Sequence, residues 1–375
     1  MRKLARAVTV SCALASTAGG AYAAEGADAA PAGPGLTEVL AASGVTAHGY
    51  VDAGYSYLSG AGTFTSGGNS RVFDTQHNDF DLHQAGLTLA YQPTEGFGGL
   101  LNVTVGHDAG FIHSNGGDTG NFDVTQGFVQ YVSGNTTVMA GKFTTLAGAE
   151  VINSSANTNV SRSILFGYEP FTHTGVRLTY AADSTLSLIF GLNNGFDQLK
   201  DFNSQKTIEA GVAYTPSKAF SLTAQGYYGT EPSMTMGAPG GPVTLIDLVA
   251  TFNVSDSVSW VLSYDYGSQD KALTLGKSFT SASWQGIAGY LNYAIDDNWR
   301  MSIRAEYFDD SDGYRTGVKQ KLKEGTLTLA YLPSKAVEVR GELRADDSDK
   351  SSFAMMSGKP GSSQYSLALA TVFKF

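Results

Sequence analysis

A single cysteine, Cys12, stands in the 375-residue chain, so no disulfide framework is available within it. Charge is scarce as well. Asp, Glu, Lys and Arg make up 15% of the residues, where soluble domains carry about a quarter. Long apolar runs are missing too, and past the N-terminal segment nothing approaches the roughly 20 residues that a membrane-spanning helix needs. Basic residues are the minority, 24 Lys and Arg against 34 Asp and Glu for a net charge of −10, which argues against nucleic acid as a partner. What is plentiful is glycine (45 residues), tyrosine (19) and phenylalanine (20). Low charge without long apolar runs points to strands that meet lipid on one face and water on the other.

The first residues have the order of an export signal. Arg2, Lys3 and Arg6 precede a short apolar stretch, Ala7 to Ala18, and then the triplet Ala21-Tyr22-Ala23. A cleaved signal peptide is expected over residues 1–23, and it would take Cys12 with it. Residues 24–45 are rich in Ala, Gly and Pro, with one helical pattern around Leu36 to Ala42. They are expected to form a periplasmic lead-in, for which a flexible linker and a small plug both fit.

From Thr46 the apolar period is two. Val258, Trp260, Leu262, Tyr264 and Tyr266 alternate with Ser259, Ser263 and Asp265, and Met301, Ile303, Ala305 and Tyr307 alternate with Arg300, Ser302, Arg304 and Glu306. Successive side chains of a strand point to opposite faces, so each run has one apolar and one polar face. Sixteen such runs lie in residues 46–375, the third over 97–109 and the fourteenth over 324–332. Their connections alternate between short and long. Three of the short ones share an Ala-Tyr-X-Pro-Thr/Ser pattern ending at Thr94, Ser217 and Ser334, in which Pro is expected to set the turn. Phe97, Phe220 and Trp299 follow short turns and are expected in one aromatic girdle. The chain ends on Phe375 after further alternation, as in the terminal signature read by outer-membrane assembly machinery. The expected fold is all-β: a transmembrane, antiparallel, up-and-down barrel of about 16 strands over residues 46–375, with short periplasmic turns and long extracellular loops. A barrel of that size encloses an aqueous channel.

The inward face carries Lys142, Arg177, Arg300, Arg304, Arg340 and Arg344 together with Asp52, Asp108, Glu209, Asp247, Asp265, Glu306, Glu338 and Glu342. Facing lipid, each Lys or Arg at the midplane would cost about 2–4 kcal/mol, so these charges must meet water or one another. Bracing of the wall and screening of solutes both fit. Parity places His83 and His107 outside and His173 inside, and neither acidic nor cysteine partners recur at metal spacing, so no metal or other cofactor is expected. Neither a G-x-S-x-G elbow nor an H-E-x-x-H helix occurs, and an enzyme is not expected.

The longest gap between runs holds Asn153 to Ser163, NSSANTNVSRS. A loop of more than about 12–15 residues without structure of its own is usually functional or disordered. Ile164, Leu165, Phe166 and Tyr168 offer it apolar anchors. It is expected to fold inward and narrow the channel, with Asn153, Asn157 and Asn159 presented to solutes and with Glu150 and Arg162 facing Lys142 and Arg177; an outward cap is the alternative.

Several stretches resemble one family. Gly49-Tyr50-Val51-Asp52, Asn78-Asp79-Phe80-Asp81-Leu82-His83-Gln84-Ala85, Gly141-Lys142-Phe143, Gly148-Ala149-Glu150, Asn157-Thr158-Asn159, Ser161-Arg162-Ser163 and Thr172-His173-Thr174-Gly175-Val176-Arg177 are similar to the OmpL-like beta-barrel porins. The likeness is sharpest over residues 46–200, with Phe196 where Trp is expected. It implies an outer-membrane channel and adds no catalytic residues. The expected function is a porin for small hydrophilic solutes, in contact with outer-membrane lipid and lipopolysaccharide and, by analogy with barrels of this size, a homotrimer. A surface-binding or adhesion barrel acting through the loops at 59–78, 310–323 and 347–361 is the alternative.

Overall fold

The computed structural model describes residues 36–117, 120–232, 240–271, 273–274, 277–278 and 280–375. The expected signal peptide, and most of the lead-in, lie outside the described residues. A helix at Leu36–Ser43 runs into the first strand.

Sixteen strands close into one barrel: β1 Thr46–Leu58, β2 Asp79–Tyr91, β3 Gly96–Val105, β4 Phe122–Ser133, β5 Thr136–Thr144, β6 Thr172–Ala181, β7 Leu186–Asn193, β8 Thr207–Ser217, β9 Phe220–Glu231, β10 Gly241–Asn253, β11 Val258–Asp270, β12 Ser281–Ala294, β13 Trp299–Asp310, β14 Gln320–Ser334, β15 Val337–Ser348 and β16 Ser363–Lys374. Each pairs antiparallel with its neighbours in sequence, and β1 pairs with β16 to close the ring. The ring leaves no open sheet edge, which is what a sheet facing hydrocarbon requires. At the seam, Gly49 and Phe375 exchange backbone hydrogen bonds of 2.8 and 2.9 Å. The Phe375 ring lies where a Cβ on Gly49 would stand, so glycine is needed for that approach.

Strand β14 shows why the sequence builds a wall. Glu324, Thr326, Thr328 and Ala330 are buried inside, while Leu327, Leu329 and Tyr331 are exposed outside. On the outer surface Phe97 packs on Tyr131, Phe220 on Phe252 and Trp299 on Tyr331, with ring centroids 4.7–5.2 Å apart. The expected girdle residues are thereby paired across neighbouring strands.

The short turns are built from local side chains. Asp183 Oδ1 accepts the backbone N–H groups of Thr185 and Leu186, Asp296 Oδ1 those of Asn298 and Trp299, and Ser255 Oγ those of Ser257 and Val258. Two prolines depart from expectation. Pro216 and Pro333 lie not in turns but inside register shifts at the ends of β8 and β14. A bulge leaves a residue out of the ladder, which suits a residue with no N–H to donate.

At the opposite end three of the long loops, 59–78, 310–323 and 347–361, pack against one another. Gly60–Phe64 pairs with Phe353–Met355, and Phe64, Phe353 and Tyr314 join Trp284, Phe308 and Leu322 in a buried cluster. These are the loops an adhesin would use, and here they pack on each other and on the barrel wall.

Candidate functional site

The connection between β5 and β6, residues 145–171, enters the barrel. It holds two short 3-10 turns, Ser154–Ala156 and Leu165–Tyr168, and is otherwise braced by its own side chains. Asn153 Oδ1 accepts from the Ser155 N–H and caps the turn at Ser154–Ala156. Asn157 Oδ1 accepts from the Val151 N–H at 3.0 Å, while its Nδ2 donates to the carbonyls of Val151 and Asn153. An Asn side chain carries both donors and an acceptor, so one residue can stitch three backbone groups. The Arg162 guanidinium donates to the carbonyls of Val151, Ile152 and Val160 and lies 5.3 Å from the Phe73 ring. Ile164 and Leu165 sink into the cluster around Trp284 and Phe308, and Phe166 packs with Phe73, Ile112 and Ile152.

The wall of β13, β14 and β15 grips this loop. Glu342 accepts the successive N–H groups of Val160 and Ser161 at 2.6 and 2.9 Å, and Glu306 those of Ile164 and Leu165, both at 2.7 Å. Asn159 Nδ2 donates to Thr328 Oγ1 at 2.7 Å, and Arg340 donates to the Ser154 carbonyl at 3.0 Å. Arg304 is fully buried and bonds to Glu150 (2.7 Å), Glu324 (3.0 Å) and the Ser161 carbonyl (2.9 Å). Arg344 pairs with Asp346 at 2.8 Å and donates to the Arg162 carbonyl, while Arg300 pairs with Glu338. On the β2 side Gln84 donates to the Ile152 carbonyl at 2.9 Å.

Several expectations are corrected by this geometry. Glu150 and Arg162 do not face Lys142 and Arg177. Lys142 pairs with Asp123 at 3.1 Å, and Arg177 pairs with Glu209 at 2.9 Å and stacks on Phe143. The loop leans instead on the far wall, where arginines stand ready. Asn157 and Asn159 are buried in holding the loop and are not offered to the lumen. His83 is turned inward and lies 3.3 Å from Asp52, because the ladder shifts register between Asp52 and Ala53. A bulge of this kind breaks parity for one residue. The third strand stops at Val105, since Gly106 takes φ 120°, so His107 and Asp108 belong to a short 3-10 helix. His107 lies under the loops beside Gln76 and Phe111 rather than facing outward. Asp108 accepts from Gln84 at 2.8 Å, and burial pushes its carboxyl up to about 7 against the pull of His83 and Arg162. His173 is buried inside, stacked on Tyr227 at 4.9 Å.

Glu324 and Asp346 complete the arginine rows, and the same alternation that selects Arg344 reaches both. Arg71 comes from the 59–78 loop to meet Asp346 at 2.6 Å, a partnership with no signal in local pattern. Asp247 and Asp265 face each other across β10 and β11, and Glu169 reaches them from the loop, with carboxylate oxygens of all three within 4.8 Å. A cavity of about 200 Å³ beside Glu169 is lined by Tyr168, Phe196, Glu231, Trp284 and Arg315. A second, of about 240 Å³, lies toward the short turns, where Thr158 of the same loop meets Asn253, Ser259, Asn292 and Arg300.

A closed 16-stranded wall, polar within and apolar without, has known counterparts. The outer membrane channel DcaP of Acinetobacter baumannii superposes with a TM-score of 0.60 at 15% identity, covering 88% of this chain and 97% of its own. An anion-selective porin from Comamonas acidovorans gives 0.60 at 14% identity, covering 88% and 99%. OmpT of Vibrio cholerae, in a trimer form, gives 0.57 at 14%, again covering 88% and 99%. At such identities the likeness is one of fold. No curated protein sequence matches the chain. The family described as "Putative beta-barrel porin-2, OmpL-like" matches residues 44–375, the whole barrel without the helix that precedes it. The chain therefore belongs to the OmpL-like beta-barrel porins, channels of the bacterial outer membrane rather than enzymes.

Proposed function

We propose that the protein is a porin for passive diffusion of small hydrophilic solutes, with the docked 145–171 loop as its constriction. One observation carries this reading: the same loop lines both cavities, through Tyr168 and Glu169 on one side and Thr158 on the other. Glu150, Asn153, Asn157, Asn159 and Arg162 shape the loop, and Arg304, Glu306, Arg340, Glu342 and Arg344 hold it in place. Lys142 and Arg177 then belong to the opposite wall. On that wall Glu209 is answered by Arg177, while on the far wall Arg300, Arg304, Arg340 and Arg344 are each answered by a carboxylate.

The outward leucines and aromatic girdle suit outer-membrane lipid and lipopolysaccharide, and Phe375 at the seam suits recognition by the assembly machinery. OmpT's trimer form supports a homotrimer here as well. Purified protein in a planar bilayer should give discrete ohmic conductance steps. A folded barrel that stays electrically silent would overturn the reading and favour the adhesin alternative.

A further inference from the structure

We propose that Glu169, Asp247 and Asp265 bind a divalent cation of the calcium class, tying the returning arm of the loop to β10 and β11. The three carboxylates converge from three elements, with oxygens within 4.8 Å of one another. Oxygens on one calcium ion lie about 2.3–2.6 Å from it, so opposite ligands stand about 4.6–5.2 Å apart and the group spans one coordination sphere. All the side chains are carboxylates, the donors of a hard cation, and water completes the shell.

A separate observation points to a ligand. Asp247 is wholly buried, and neither of its carboxylate oxygens has a hydrogen-bond partner, nor has Oδ1 of Asp265. The backbone N–H of Gly148 leans toward Asp247 without closing a bond. Five other acids of the inner face, Glu150, Glu209, Glu324, Glu338 and Asp346, each pair with an arginine. Among the described residues no Lys or Arg forms an ion pair with any of these three. Uncompensated carboxylates in a buried site are costly, and a cation answers all three at once. Gly148 leaves room for the arrangement, since a Cβ there would stand 2.0 Å from Glu169 Oε2.

The probe is terbium(III), a luminescent substitute for calcium, titrated into the chelator-treated, detergent-solubilised full barrel in phosphate-free buffer. Trp284 lines the cavity beside Glu169 and serves as its sensitiser. Wild type should give a saturable one-site signal that excess calcium displaces. The signal should vanish in Asp265→Asn and in Glu169→Gln. Calcium should raise the thermal midpoint of wild type and leave that of both variants unchanged. Both substitutions relieve repulsion, and gel mobility with and without heating verifies that the barrels fold. No saturable signal in wild type would mean that the carboxyls share protons instead, and would overturn the proposal. An undiminished signal in the folded variants would overturn it equally. Binding is read without conductance, so failure here leaves the channel reading intact, and a silent channel leaves the site intact.

Discussion

Arg304 on β13 and Glu150 in the docked loop meet at 2.7 Å, with the arginine fully buried and the glutamate nearly so. The guanidinium also holds Glu324 and the Ser161 carbonyl, so one side chain joins two wall strands to the loop. Removing it leaves Glu150 without a cation and Glu324 with only Arg344, at 3.6 Å. Breaking a buried pair by deleting one partner costs about 3–5 kcal/mol. Arg304→Ala should therefore lower the thermal midpoint of the folded barrel and make the conductance larger and noisier. A quiet, wild-type trace at an unchanged midpoint would show that the pair does not hold the loop.

Glu342 offers a finer test because it grips backbone. Its two oxygens take the Val160 and Ser161 N–H groups, and Thr328 Oγ1 donates to it as well at 2.7 Å. In Glu342→Gln one oxygen becomes an NH2 group that opposes a donor, at a cost of about 1–3 kcal/mol. Hydrogen exchange at Val160 and Ser161 should accelerate while the β14 and β15 amides keep their protection. Equal rates in both proteins would contradict the assigned bonds.

Most of the barrel was legible because a lipid-facing wall leaves its mark every second residue. Leu327 and Leu329 outside, with Thr326 and Thr328 inside, need no tertiary knowledge to place. The failures come where one residue breaks that period or where the partner is distant. Opposite Asp52 a bulge swings His83 inward, and at Gly106 a positive φ ends β3 early, neither of which alternation can register. That the loop turns inward could be read from its length and from Ile164 and Leu165. Which wall it meets could not, because Glu150 to Arg304 and Arg71 to Asp346 join residues over 150 positions apart. Only the closed ring brings them together.

Asp108 should make stability depend on pH. Its folded carboxyl is raised from 3.8 to about 7 by burial, so the folded state holds a proton that the unfolded chain has released. That stabilisation is complete below about pH 4 and is lost as pH rises through about 7. Asp108→Asn keeps an oxygen to accept from Gln84 and removes the charge. The variant should therefore gain on wild type, by a few kcal/mol at most, as pH climbs from 4 to 8, seen in midpoints measured across that range. A constant offset between the two proteins would refute the assignment.

Gly148 and Gly134 separate crowding from backbone strain. Both have positive φ, 85° and 55°, but a Cβ on Gly148 meets the Glu169 carboxylate while one on Gly134 meets nothing within 4 Å. Gly134→Ala should cost about 1 kcal/mol from strain alone. Gly148→Ala should cost clearly more, since Glu169 must move. Equal losses in thermal stability would show that the carboxylate is not seated against Gly148.

Single-channel conductance of the chain lacking residues 153–163, beside wild type in the same planar bilayer, tests most directly whether the docked loop sets the width of the passage. The shortened loop loses Asn159, Ser161 and Arg162, and with them the Thr328, Glu342 and Arg344 attachments. The expected result is a larger conductance and entry of larger neutral solutes through a barrel that remains folded by its heat-dependent gel mobility. An unchanged conductance in that folded barrel would contradict the assignment of residues 145–171 as the constriction.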